Sequence, residues 1–78
     1  MKAYMLEMYY MNYNIDKYEY QVHKVLLQGT NETIKDIVYS EIKDFNNINK
    51  KYNCSKVEQY NLYEFIGGES LKESESDE

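Results

Sequence analysis

The stretch YMLEMYYMNYNIDKYEY, Tyr4–Tyr20, decides how this chain folds. It holds six of the ten tyrosines, and they fall on both parities. Even positions carry Lys2, Tyr4, Leu6, Met8 and Tyr10; odd positions carry Ala3, Met5, Glu7, Tyr9, Met11 and Tyr13. Aromatic side chains and few helix breakers predict a strand over Met1–Tyr13, apolar enough to be at least half covered on both faces. The segment NYNIDK, Asn12–Lys17, supplies Asn and Asp, which tolerate turn geometry, so a hairpin loop is expected there. Tyr18–Leu27 reads as the partner strand. Tyr18, Tyr20 and Val22 face one way and Glu19, Gln21 and His23 the other. Val25 and Leu27 then break the phase, which predicts a bulge near His23–Lys24 or a strand buried on both faces.

A helix follows. Gly29 ends the strand, Thr30 or Asn31 can cap free amides, and Glu32 and Asp36 suit the positive end of the helix dipole. At 100° per residue Ile34, Ile37, Val38, Ile42, Phe45, Ile48 and Tyr52 form one apolar stripe. Glu41 falls near its middle, and the expectation is a rim position with a packed stem and a wet carboxylate. Asn46, Asn47 and Asn49 weaken the helix, whose end is placed between Asn46 and Tyr52. The third strand is VEQYNLYEFI, Val57–Ile66, with Tyr60, Leu62 and Ile66 on one face and Val57, Tyr63 and Phe65 on the other. Gly67–Gly68 ends it, and the rest reads as a solvated acidic tail.

These elements predict an α+β fold: one ββαβ domain over residues 1–66 and a flexible acidic tail over 67–78. The first strand lies centrally, paired antiparallel with both others in the order 2-1-3, and one helix covers one face. That arrangement accounts for tyrosine on both parities. A single helix covers a single sheet face, so the central strand keeps an apolar face to spare. Tyrosine suits such a face, since it offers a large contact area, a polar tip and little rotamer entropy to lose. Met5, Tyr9, Met11, Tyr63 and Phe65 are expected there, and exposed patches of this kind mark partner sites.

Composition narrows the function classes. The 78-residue chain has no Arg, Pro or Trp and a formal net charge of −5. Its richness in Asn, Lys, Tyr and Ile is what AT-rich codons encode. The segment 67–78 carries five acids and one lysine, whereas residues 1–66 carry nine acids and eight lysines, so the body is nearly neutral. Binding nucleic acid through a basic surface is therefore not expected. One cysteine, Cys54, allows no internal disulfide and fits a reducing cytoplasm. No apolar run approaches the roughly 18 residues of a membrane span, and Glu7 interrupts any signal-like N-terminus.

Catalytic chemistry has little to draw on. His23 is the one histidine and is expected on the solvent side of its strand, so no metal site and no cofactor is predicted. Cys54 is expected in a loop, near Lys50, Lys51 and Lys56. The three glycines form no phosphate-binding loop, and no carboxylate pair sits in a setting that would split its pKa values. An enzyme is not expected.

No family motif is present. In type the chain resembles the small acidic proteins with which bacteriophages and other mobile elements block host nucleases, the anti-CRISPR and anti-restriction factors. That resemblance implies an inhibitor docking on a larger protein or nucleoprotein complex in a bacterial cytoplasm. Met5, Glu7, Tyr9, Met11, Glu19, Glu58, Tyr63, Glu64 and Phe65 are the expected contact residues. Charge mimicry would need Glu7, Glu19, Glu58, Glu64 and the tail on one side; Glu58 and Glu64 share a parity. The alternative is a homodimeric structural or regulatory protein whose spare sheet face is buried between two copies.

Overall fold

The computed structural model describes residues 1–15 and 19–65; the expected acidic tail, Tyr18 and Ile66 lie outside the described residues. Three strands and one helix follow the order β1 (Lys2–Met11), β2 (Tyr20–Gly29), α1 (Ile34–Lys51), β3 (Gln59–Phe65). The sheet order is β2-β1-β3, with β1 central and antiparallel to both neighbours.

The register settles which parity is inside. Tyr4, Leu6 and Met8 of β1 are buried, Leu6 and Met8 completely. They form the core with Leu27 of β2 and Ile34 and Val38 of α1. Val25, Ile37, Ile42, Phe45, Val57 and Leu62 pack around that cluster. Complete burial of a side chain of this size contributes roughly 1.5–3 kcal/mol, so Leu6 and Met8 anchor the sheet to the helix.

β2 differs from expectation. Its pairing with β1 runs without interruption from Lys2↔Gly29 to Met11↔Tyr20, and no bulge occurs at His23–Lys24. Gln21, His23, Val25 and Leu27 all share the helix side. The helix N-terminal half covers Leu27, while further along the strand His23 stacks flat on Phe45, with centroids 4.5 Å apart and planes 7° apart. Phe45 also meets Tyr10 edge-on at 5.3 Å. A polar-to-apolar change along one face thus mimics a phase slip in the sequence. His23 lies on the helix side, not on a solvent-only face. Gly29 ends the strand as expected, and it also sits in close packing: a Cβ there would stand 2.9 Å from Ile37 Cδ1 and 3.1 Å from Thr33 Oγ1.

The entry to α1 is tied by a reciprocal threonine pair. The Thr33 amide donates to Thr30 Oγ1 (3.2 Å) and the Thr30 amide to Thr33 Oγ1 (2.9 Å). This pair ties the turn that precedes the helix; the N-cap itself is Thr33, not Thr30 or Asn31, and it makes no side-chain cap hydrogen bond. The apolar stripe is shorter than its periodicity suggests. Ile48 and Tyr52 are exposed, and the buried position of the last turn is Asn49.

Asparagine fixes that last turn instead. Asn49 is buried, 4% exposed, and its Nδ2 donates to the Ser55 carbonyl at 2.9 Å. Asn46 Oδ1 accepts from the Val57 amide at 2.7 Å. The loop they hold then joins β1. Asn53 adopts φ 59°, a left-handed conformation that Asn tolerates. The Ser55 amide donates to the Met11 carbonyl (2.8 Å), and the Met11 amide donates to Ser55 Oγ (2.9 Å). Tyr13 donates to the Asn53 carbonyl, and Asn12 bridges to Cys54. Asn14 Nδ2 reaches the Tyr52 carbonyl at 2.7 Å. The far end of β1 is therefore held by the helix exit as well as by β2.

Candidate functional site

The face of the sheet away from α1 is built from the odd residues of β1 and their partners. Met5 lies between Leu26 and Tyr63, Glu7 between Lys24 and Asn61, and Tyr9 between Val22 and Gln59. Met11 pairs with Tyr20, and Ala3 lies between Gln28 and Phe65. Met5, Tyr9, Met11, Tyr63 and Phe65 thus share this face with Glu7. Tyr20, Val22, Leu26 and Tyr63 are exposed there. No element of the described chain covers it.

Glu7 sits at the centre of this face. Its side chain is only 16% exposed, with Lys24 Nζ at 3.8 Å. The Tyr9 hydroxyl donates to Glu7 Oε1 at 3.3 Å. The same carboxylate lies near the Tyr63 phenol and raises its pKa above the ordinary value, chiefly through charge repulsion of the phenolate. The centre is a carboxylate ringed by phenols rather than a purely apolar patch.

A second carboxylate closes one end. The Tyr20 hydroxyl donates to Glu58 Oε1 at 2.7 Å, and this bond raises the Tyr20 pKa. Tyr20 belongs to β2 and Glu58 stands just before β3, so the contact reaches across β1. Glu58 is free to make it because the chain is irregular there. Its amide donates to the Tyr9 carbonyl while Gln59 is the register partner of Tyr9, so two residues oppose one.

That irregularity overturns the expected acidic cluster. Glu58 and Glu64 do not share a side. Glu64 pairs opposite Tyr4 on the helix side and meets Lys2 Nζ at 3.2 Å. Glu19 is exposed immediately before β2. The structure therefore brings Glu7 and Glu58 to the open face and leaves Glu64 on the opposite one. Four contributors from β2 escaped the sequence reading: Tyr20, the partner of Met11, and Lys24, Val22 and Leu26. They become visible once the β1–β2 register is fixed, since the last three are the cross-strand partners of Glu7, Tyr9 and Met5.

The remaining chemistry is sparse. Among the described residues no group of three or more His, Cys, Asp or Glu side chains is placed to hold a metal ion. Cys54 is a free thiol, beside an open depression of about 320 Å³ lined by Asn46, Asn47, Lys50 and Lys56. A groove of about 310 Å³ runs between α1 and β3, lined by Lys35, Val38, Tyr39, Ile42, Tyr60 and Leu62. No described helix is long and apolar enough to cross a membrane. No family model matches the chain, and no curated protein or solved structure is significantly similar to it.

Proposed function

We propose that this protein is a small acidic protein-binding inhibitor, of the kind mobile elements direct at host nucleases, and that it docks through the open face of its sheet. One observation carries the reading. The buried core lies entirely on the helix side, yet the opposite face still presents Met5, Tyr9, Met11, Val22, Leu26, Tyr63 and Phe65 as one contiguous surface. Folding makes no use of much of that surface, and a soluble chain rarely displays it without a partner. Phenols around a half-buried carboxylate are the layout of an interface centre: rigid aromatic area with one charge to set orientation. Glu7 and Glu58 then suit lysine or arginine on the partner, which nuclease surfaces supply where they hold nucleic acid. Inhibition in this reading is by occupation and needs no catalytic group.

The test is affinity capture of the tagged full chain from a bacterial lysate, at low and high salt, beside Tyr9→Ala and Tyr63→Ala. The expected result is a nuclease complex held by the native chain, released by salt and lost from both variants. Both variants should melt close to the native chain, well short of the roughly 3–5 kcal/mol loss that follows truncation of a core aromatic. Recovery of the protein alone, at twice its mass and dependent on Tyr9, would replace this reading with a homodimer whose open faces pack together.

A further inference from the structure

We infer that β3 is a self-pairing edge, and that two copies of the chain join through it into one continuous six-stranded sheet. This inference concerns the strand edge and the helix side, and is independent of the open face.

Sheet edges expose unpaired backbone groups and are ordinarily blunted by lysine, proline or an interior bulge. The edge strand β2 carries Lys24 at its centre. β3 reads QYNLYEF: seven residues with no lysine, proline or glycine, and one charge, Glu64. Its irregularity lies before the strand, at Glu58, and leaves Gln59–Phe65 regular in its pairing with β1. The helix does not protect it either. The groove between α1 and β3 leaves Tyr60 half exposed and Leu62 only partly buried, beside Val38 and Ile42.

The occupant is argued from the register. An antiparallel pair of identical strands uses all seven residues only when centred on Leu62. Leu62 then faces Leu62 of the second copy, and Tyr60 faces Glu64 of the second copy, twice by symmetry. Asn61 faces Tyr63, and Gln59 faces Phe65. No carboxylate opposes another. Glu64 already offers Oε2 to Lys2, so Oε1 is available to the Tyr60 hydroxyl across the junction. The two leucines meet at the mouth of the groove in each copy, where they add apolar cover to Val38 and Ile42. A one-residue shift of the axis to Asn61 sets Glu58 against Glu64, which like-charge repulsion disfavours.

The area sets the strength. Seven residues at about 3.4 Å each, with a helix layer about 10 Å thick over the sheet, give a flat footprint of roughly 24 by 15 Å. That is below the ~800 Å² per partner of a standard interface, so a reversible monomer–dimer equilibrium is expected.

The test is sedimentation equilibrium of the full chain over a wide concentration range, with Tyr60→Glu and the double variant Tyr60→Glu/Glu64→Lys. The native chain should show a monomer–dimer equilibrium. Tyr60→Glu sets two glutamates against two and should weaken it at least tenfold. The double variant restores opposite charges across the junction and should recover most of the loss. Tyr9→Ala should leave it unchanged. Amide exchange on the native chain provides a second readout, since outward β3 amides should gain protection with concentration. A native chain that stays monomeric into the millimolar range overturns the inference. So does a dimer indifferent to Tyr60→Glu, or one that the double variant fails to restore.

Discussion

Replacing Asn49 by alanine sets two physical effects against each other. Alanine is the better helix former by roughly 0.7 kcal/mol or less, so propensity alone makes Asn49→Ala stabilising. The structure argues the reverse. Asn49 is buried, and its amide supplies a 2.9 Å hydrogen bond to the Ser55 carbonyl. Its removal leaves a part-buried carbonyl without that donor, at about 1–3 kcal/mol. It also loosens the loop that positions Ser55 against Met11. The net expectation is a destabilisation of about 1–2 kcal/mol. In a domain of this size that lowers Tm by about 4–16 °C. Urea unfolding followed by circular dichroism should show a lower midpoint with an unchanged slope, since the surface exposed on unfolding hardly changes. Asn47→Ala is the control: Asn47 is exposed on the same helix, so there the propensity term should act alone and stabilise slightly. If Asn49→Ala matches Asn47→Ala, the asparagine lock is refuted and the helix exit is held by backbone contacts.

Gly29→Ala should destabilise by about 1–3 kcal/mol through overpacking, because the new methyl meets Ile37 and Thr33; a neutral result in thermal melts would show that α1 shifts freely at its start. The phenols of Tyr20 and Tyr63 should ionise later than ordinary tyrosines in a tyrosinate absorbance titration. The folded state binds these two protons more tightly than the unfolded chain. Their contribution is therefore complete below pH about 10 and falls as the pH rises through the raised values. Glu58→Gln removes the charge beside the phenol and should lower the pKa of Tyr20 alone toward the normal range, read as a difference against Tyr20→Phe; no change would contradict the Tyr20–Glu58 contact.

The fold was legible where parity and chemistry agreed. Strand positions and their pairing followed from alternation and turn residues, but tyrosine and methionine stand on both parities of β1, so the side that the helix covers is settled only by the packing of Tyr4, Leu6 and Met8. The strand order follows from a hairpin and one helical crossover. β2 was harder to read because a strand face need not have one character along its length: Gln21 and His23 lie toward Phe45, Val25 and Leu27 under the start of the helix. The helix stripe overran for a related reason. Periodicity records the direction of a side chain and not what lies beneath it, so Ile48 and Tyr52 matched the pattern yet are exposed, while Asn49 takes the buried place in the last turn. Asn46 and Asn49 counted as weak helix formers because their partners, Val57 and Ser55, lie in a loop whose path propensity does not describe. On the open face the apolar members from β1 and β3 were expected, whereas Val22 and Leu26 of β2 emerged only with the β1–β2 register. The split between Glu58 and Glu64 was not legible, because an extra residue opposite Tyr9 breaks the parity rule just before β3.

The antiparallel pairing of β1 and β3 sets Ala3 beside Phe65, so the outer ends of both strands lie at the same edge of the molecule. A pulling force applied to the chain beyond Phe65 meets the sheet in unzipping geometry. It opens one residue pair at a time, starting at Ala3↔Phe65, rather than shearing seven pairs together. Each step breaks at most two hydrogen bonds of modest net strength. An unfolding motor engaging that end should therefore strip β3 at low force and expose Leu6 and Met8 before the β1–β2 hairpin is loaded. The same chain pulled through the turn between β1 and β2 would resist until the clasp among Asn14, Tyr52 and Asn53 gave way.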